Sequence, residues 1–177
     1  MIRVRIEDAG SASEAAAIRA VNTAAFGGPY EAELVDKLRG DEHALISLVA
    51  VVTDAAEAAD VIAGHILFSR MWVKTPAGLV SAVALAPVAV LPEYQRRGIG
   101  GLLIRHGLQL LRDRGEKIVI VAGHPAYYPR FGFSPDKASL LASPFPAEAF
   151  MALELSAGAL DDVCGPVVYP PAFGIEV

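Results

Sequence analysis

A chain of 177 residues, 54% hydrophobic and 20% charged, fits one domain with a sizeable core and is far from the charge-rich, apolar-poor signature of disorder. Its formal net charge of −5 argues against a nucleic-acid-binding surface, which shows a basic excess. The one cysteine, Cys164, excludes an intramolecular disulfide, and His43, His65, His106 and His124 show none of the paired spacings of a metal site.

Residues 2–6, Ile-Arg-Val-Arg-Ile, alternate apolar and charged side chains and predict a strand. The alternation leaves no uninterrupted apolar run of the kind a signal peptide carries. Ser11 or Ser13 caps a predicted helix over 14–25, with Glu14 near the positive end of its dipole. Gly27-Gly28-Pro29 breaks the chain, and a second helix over 30–39 carries Leu34, Val35 and Leu38 at helical spacing before Gly40. Residues 44–52 and 61–73 predict two strands of an antiparallel hairpin, joined by the polar turn 54–60.

The run 79–91 is nearly all apolar and predicts a strand buried on both faces at the centre of a sheet. It is too short for a membrane span, so the reading is of a soluble cytoplasmic protein. Pro87 within it cannot donate to a ladder, which predicts a bulge near 86–88 with unpaired backbone groups. A helix over 99–114 follows, with Gly107 permitting close approach to the sheet and Gly115 as its stop. Residues 117–121 predict a short buried strand, completing a βαβ unit with a parallel, right-handed connection. A short helix or turn over 125–131 and strands over 150–155 and 165–169 complete the chain.

Between the apolar strand and the helix lies Gln95-Arg96-Arg97-Gly98-Ile99-Gly100, followed by Gly101. Glycines let backbone N–H groups approach an anion, and a helix start adds free N–H groups and partial positive charge. Arg96 and Arg97 add charge-assisted hydrogen bonds, so the segment suits a pyrophosphate. The P-loop pattern fails, because no Lys-Ser or Lys-Thr follows the glycines. The dinucleotide fingerprint fails as well, because Leu103 stands where the third glycine or alanine belongs.

The hexapeptide matches the pattern Q/R-x-x-G-x-G/A. With Pro87-Val88-Ala89-Val90 and Leu91-Pro92-Glu93-Tyr94 before it, and Leu102-Leu103 and Tyr128-Pro129-Arg130-Phe131-Gly132-Phe133 after it, the chain resembles the GNAT superfamily of N-acetyltransferases. The resemblance is strong over 79–133, and the closing stretch 165–173 is similar to the end of one uncharacterised bacterial branch. It implies one α+β domain over 1–177. The implied fold is a mixed, mostly antiparallel sheet of six to seven strands flanked by about four helices, with two central parallel strands splayed apart. It further implies acetyl-CoA as co-substrate, with no metal. The pantetheine arm would pair with the backbone of Val88, Ala89 and Val90. The pyrophosphate would lie on Gln95, Arg96, Arg97, Gly98, Ile99, Gly100 and Gly101.

The implied reaction is direct transfer of acetyl from the thioester to an acceptor amine, of a small molecule or a peptide. Nucleic acid and membrane are not expected partners, and a homodimer is admissible. A free N–H near Val88 would stabilise the developing oxyanion. Tyr128 matches the family's general acid, a phenol protonated at neutral pH, and Tyr127 is its competing neighbour. The base is open between His124, whose side-chain type titrates in the right range, Glu31, Glu33 and water. Two alternatives stand beside the enzyme: a non-catalytic acyl-CoA-binding or sensing domain of the same fold, and a different nucleotide-binding α/β protein.

Overall fold

Capping chemistry sets the first helix of the computed structural model, which describes residues 1–175. After strand β1 (Ile2–Ile6), Ser11 Oγ accepts the Glu14 N–H at 3.2 Å and opens helix α1 (Ala12–Phe26). Gly27, at φ 75°, closes it in the left-handed conformation that a side chain disfavours. Glu14 is buried. It accepts the Asp8 N–H at 2.7 Å and two bonds from the Arg5 guanidinium at 2.9 and 2.8 Å, which hold its carboxyl below the usual range. Helix α2 (Tyr30–Gly40) buries Ala32, Leu34, Val35 and Leu38 as one stripe.

Strands β2 (Ala44–Asp54), β3 (Ala59–Thr75) and β4 (Gly78–Val90) follow, then a 3-10 turn at Pro92–Tyr94 and helix α3 (Ile99–Asp113). Strand β5 (Ile118–Ala122), a 3-10 turn at Tyr128–Phe131, and strands β6 (Leu141–Ala142), β7 (Phe150–Glu154) and β8 (Gly165–Val168) complete the sheet. The strand order is β1-β2-β3-β4-β5-β7, with β8 on β3 and β6 on β8. β1 and β2, β5 and β7, and β3 and β8 pair antiparallel, while β4 and β5 run parallel through Val83↔Val119 and Ala84↔Ile120.

The mixed α+β sheet agrees with the sequence reading, with two corrections of number. It has eight strands rather than six to seven, and three α-helices rather than about four, among the described residues. β6 is a two-residue pairing with β8, too short to leave a periodic pattern.

The chain forms two compact units. The first joins Met1–Phe68 to Ala86–Gly107; the second joins Ser69–Leu85 to the chain from Leu108 onward. The core of the first includes Ile18, Val21, Leu38, Leu48, Phe68 and Leu103. A Cβ on Gly107 would stand 2.1 Å from the Phe68 ring, so this glycine is what lets α3 seat, as its position in the sequence suggested. The core of the second includes Met71, Val83, Leu111, Val119, Phe133 and Met151. There Arg70 forms a forked pair with the Glu116 carboxylate and donates to Ala82 O at 3.1 Å.

β4 departs from the expectation of a strand buried throughout. Ala82, Val83, Ala84 and Leu85 are buried in succession, but Leu79 is 62% exposed and burial alternates beyond Ala86. At the position where Pro87 predicts a bulge, the Ala86–Pro87 peptide is cis. No helix among the described residues is long and apolar enough to cross a membrane.

Candidate functional site

The segment from Val88 to Gly101 lies wholly in the first unit. Leu91 N–H bonds Ala63 O at 2.8 Å, so the backbone of Leu91 faces β3. By the two-residue period of a strand, the backbone groups of Ala89 face β3 as well. Those of Val88 and Val90 therefore face the opposite edge of β4. There Val90 O accepts a 3.0 Å hydrogen bond from Gln95 Nε2. Val88 and Val90 are half-buried and Ala89 is buried, so this edge belongs to the core strand.

The chain then turns tightly. Tyr94 N–H bonds Leu91 O at 2.9 Å, and Gln95 N–H bonds Pro92 O at 3.3 Å. Arg96 has φ 63° and Gly98 φ 80°, on either side of Arg97, which has an ordinary negative φ. Such alternation of handedness turns successive N–H groups to one side and makes a concavity for an anion. Leu102 N–H is the first of α3 to bond within the helix, to Gly98 O at 3.1 Å. The amides of Ile99, Gly100 and Gly101 precede it and have no intrahelical acceptor. Ile99 and Gly101 are buried, so these amides belong to a seated helix end.

The two arginines differ. The Arg97 guanidinium lies 5.2 Å from the centre of the Tyr94 ring, a cation–π contact. Arg96 is exposed, and its guanidinium makes no hydrogen bond, ion pair or ring contact among the described residues. Arg96 shares positive φ with Glu42, Ala58 and Asp162 among the non-glycine residues described, and its charge is open to solvent. Sequence reasoning passed over Tyr94 as a brace. An aromatic residue three positions before an arginine in a tight turn is the signal that could have found it.

The second group of predicted residues lies in the second unit. Tyr128 is buried, with edge-to-face contacts to Tyr127 at 5.2 Å and Phe133 at 5.9 Å. Gly123, immediately after β5, makes room for it: a Cβ there would stand 2.4 Å from the Tyr128 ring. This glycine was not singled out from sequence, where it reads as an ordinary strand terminus. The Tyr128 hydroxyl has no hydrogen-bond partner among the described residues. The ordinary phenol value expected for Tyr128 does not hold. Burial, and then the neighbouring Tyr127, push it up to about 12.

Tyr127 is only half-buried and sits among Tyr128, Phe131 and Arg130, whose guanidinium lies 4.6 Å from its ring centre. His124 is exposed at the start of the same turn, and its carbonyl accepts the Tyr127 N–H at 3.1 Å. Glu31 and Glu33 occupy the first turn of α2, half-buried and exposed respectively, and belong to the first unit. No group of three or more His, Cys, Asp or Glu residues among the described residues is arranged to hold a metal ion.

A family model described as the acetyltransferase (GNAT) family matches residues 15–133. Over 139 residues, 77% of this chain and 75% of the relative, the sequence is 44% identical to the uncharacterized N-acetyltransferase YjhQ of Escherichia coli K12. The crystal structure of the GNAT family N-acetyltransferase YhbS from Escherichia coli, in complex with CoA, is similar at a TM-score of 0.81 and 32% identity. It covers 98% of this chain and 91% of that one. A GNAT family acetyltransferase from Brucella melitensis, in complex with acetyl-CoA, is similar at a TM-score of 0.76 and 34% identity, over 98% of each chain.

Proposed function

The chain belongs to the GNAT acetyltransferase family, and from that premise we propose that it transfers acetyl from acetyl-CoA directly to an acceptor amine, with Tyr128 as the general acid. It is an acetyl-CoA-dependent acyltransferase. The observation that carries the reading is the loop 95–101. It combines amides of alternating handedness, an open helix start and an outward Arg96, directly after a strand whose edge offers Val88 and Val90.

Those residues fit the two chemically distinct parts of the cofactor. A pyrophosphate wants convergent N–H donors and positive charge, which Arg96, Arg97, Gly98, Ile99, Gly100 and Gly101 supply. A pantetheine arm carries amides that pair as a strand does, and Val88 and Val90 present backbone groups along one edge with Ala89 between them. When bound, acetyl-CoA supplies an acyl group activated as a thioester. In this reading the Val88 N–H polarises the acyl carbonyl, an interaction worth ~2.7–4 kcal/mol for a preorganised donor.

Tyr128 donates its proton to the departing sulfur. Its raised pKa keeps it protonated across the working range and makes it a weaker acid than an ordinary phenol. It therefore hydrogen-bonds the sulfur first and passes the proton to it as the carbon–sulfur bond breaks and the sulfur becomes basic. Its hydroxyl, without a partner among the described residues, is free for that use. The acceptor ammonium must lose a proton before it attacks. His124, exposed on the same turn, is assigned as base. The acceptor is an amine of a small molecule or a peptide.

Release of free thiol from acetyl-CoA, screened against amines, peptides and aminoglycosides, tests the reading. Turnover with at least one amine is expected, and binding of CoA without thiol release from any acceptor would favour a sensing domain. With an acceptor in hand, His124→Ala is expected to change the pH profile. A profile that matches the parent would remove His124 from the mechanism.

A further inference from the structure

The Gln95 side chain turns back along the chain instead of outward. Its Nε2 donates to Val90 O at 3.0 Å, five residues earlier, and closes the turn through Leu91, Pro92, Glu93 and Tyr94. Two backbone bonds brace the inside of that turn, Tyr94 N–H to Leu91 O and Gln95 N–H to Pro92 O. The second is long, at 3.3 Å, so the backbone alone closes the turn loosely where it meets Gln95. The carbonyl that Gln95 takes lies on the edge of β4 opposite β3, and the residue after Gln95 is Arg96, where the chain goes left-handed. The bond thus joins the last edge position of the strand to the first position of the anion-binding turn.

We propose that Gln95 is a positioning residue: it does not hold the cofactor itself but fixes the distance and angle between the β4 edge at Val88–Val90 and the amides of the 96–101 loop. The inference rests on the acetyl-CoA reading above. A ligand that spans two subsites binds tightly only when their separation is fixed in advance, because otherwise part of its binding energy is spent on ordering the protein. A ligand that occupies one subsite is indifferent to that separation. The side chain needs a donor at the reach of glutamine. Methionine has a similar length and no donor. Asparagine has the donor and is one methylene too short. Arginine keeps a donor and can fold to the shorter reach.

The test compares coenzyme A, which spans both subsites, with 3′-phospho-ADP, its nucleotide half with the pyrophosphate, by titration calorimetry on the full chain. Gln95→Met and Gln95→Asn are expected to weaken coenzyme A about tenfold and to leave 3′-phospho-ADP within twofold. Gln95→Arg is expected to restore coenzyme A to within about threefold of the parent. Equal weakening of both ligands in Gln95→Met would overturn the proposal, since Gln95 would then touch the phosphates or hold the whole loop in shape. Unchanged coenzyme A affinity in Gln95→Met would overturn it as well, as would an arginine variant as weak as the methionine one. A parent protein that binds neither ligand would instead overturn the acetyl-CoA reading, an outcome seen before any variant is made.

Discussion

The loop 95–101 and the turn that carries Tyr128 are built on opposite principles. The loop is a backbone device. Its donors are N–H groups, its shape comes from positive φ at Arg96 and Gly98, and its exposure to water is high at residues 95–98. The Tyr128 turn is a side-chain device. The acid proposed there is one hydroxyl, held by a ring packed against Gly123, Tyr127 and Phe133, and its acidity is lowered by burial. A backbone device depends on which residues permit a conformation, and glycine spacing records that in the sequence. A side-chain device depends on what folds around it, which no local pattern records.

The comparison predicts different failures. Gly98→Glu strikes the backbone device twice. It forces a side chain onto a residue at φ 80°, and it sets a carboxylate among amides shaped for an anion. The glycine has open space around it, so the cost to the fold is the backbone strain alone, about 1–2 kcal/mol. Loss of coenzyme A binding by 100-fold or more is expected, with a melting temperature lower by only several degrees, read by calorimetry and thermal unfolding. Binding unchanged in a folded variant would break the assignment of the loop.

Tyr128→Phe strikes the side-chain device and nothing else, because the ring and its contacts remain. The expected result is a fall in kcat of roughly 100-fold, the scale of general acid catalysis, with coenzyme A affinity kept within threefold. Tyr127→Phe removes a hydroxyl from a half-buried ring in the same turn and is expected to change kcat less than threefold. Steady-state thiol release with one acceptor measures both. A large loss in Tyr127→Phe alone would transfer the role to that residue.

The same division explains what the sequence made legible. The order of the longer elements, a cap at Ser11 or Ser13 of which the structure uses Ser11, the Gly27 break and the close seat of α3 at Gly107 all follow from the conformational rules of single residues, and all appear in the structure. The break between β4 and α3 was legible for the same reason. What escaped were consequences of tertiary packing: the two-residue β6, the exposed start of β4, the seat of Tyr128 against Gly123 and its raised pKa. His65 escaped in the same way. In sequence it is one of four scattered histidines, while in the structure it is wholly buried on β3.

His65 therefore offers the sharpest test of the claim that burial, not local sequence, sets protonation here. Its Nδ1 lies 3.1 Å from Asn22 Nδ2, which also donates to Ile18 O at 3.0 Å, and its Nε2 lies 2.8 Å from Ser47 Oγ. An amide donor facing Nδ1 requires that nitrogen to accept, so the proton sits on Nε2 and points at Ser47. A second proton would face the Asn22 amide and have no acceptor. Burial, and then the charge of Arg39 on α2, lower its pKa to about 3. The unfolded chain, with an ordinary imidazole near pH 6.5, thus binds more protons between about pH 6.5 and 3. Stability is full above pH 6.5 and falls as pH drops through that window, by at most about 1.4 kcal/mol per pH unit for one proton. His65→Gln keeps polar groups in the cluster and removes the titration. It is expected to cost stability at pH 7.5 and to flatten the acid limb between pH 6.5 and 4, seen in urea unfolding at a series of pH values. An acid limb as steep as the parent's would assign the acid sensitivity to carboxylates such as Glu14, whose lowered pKa acts further down the scale.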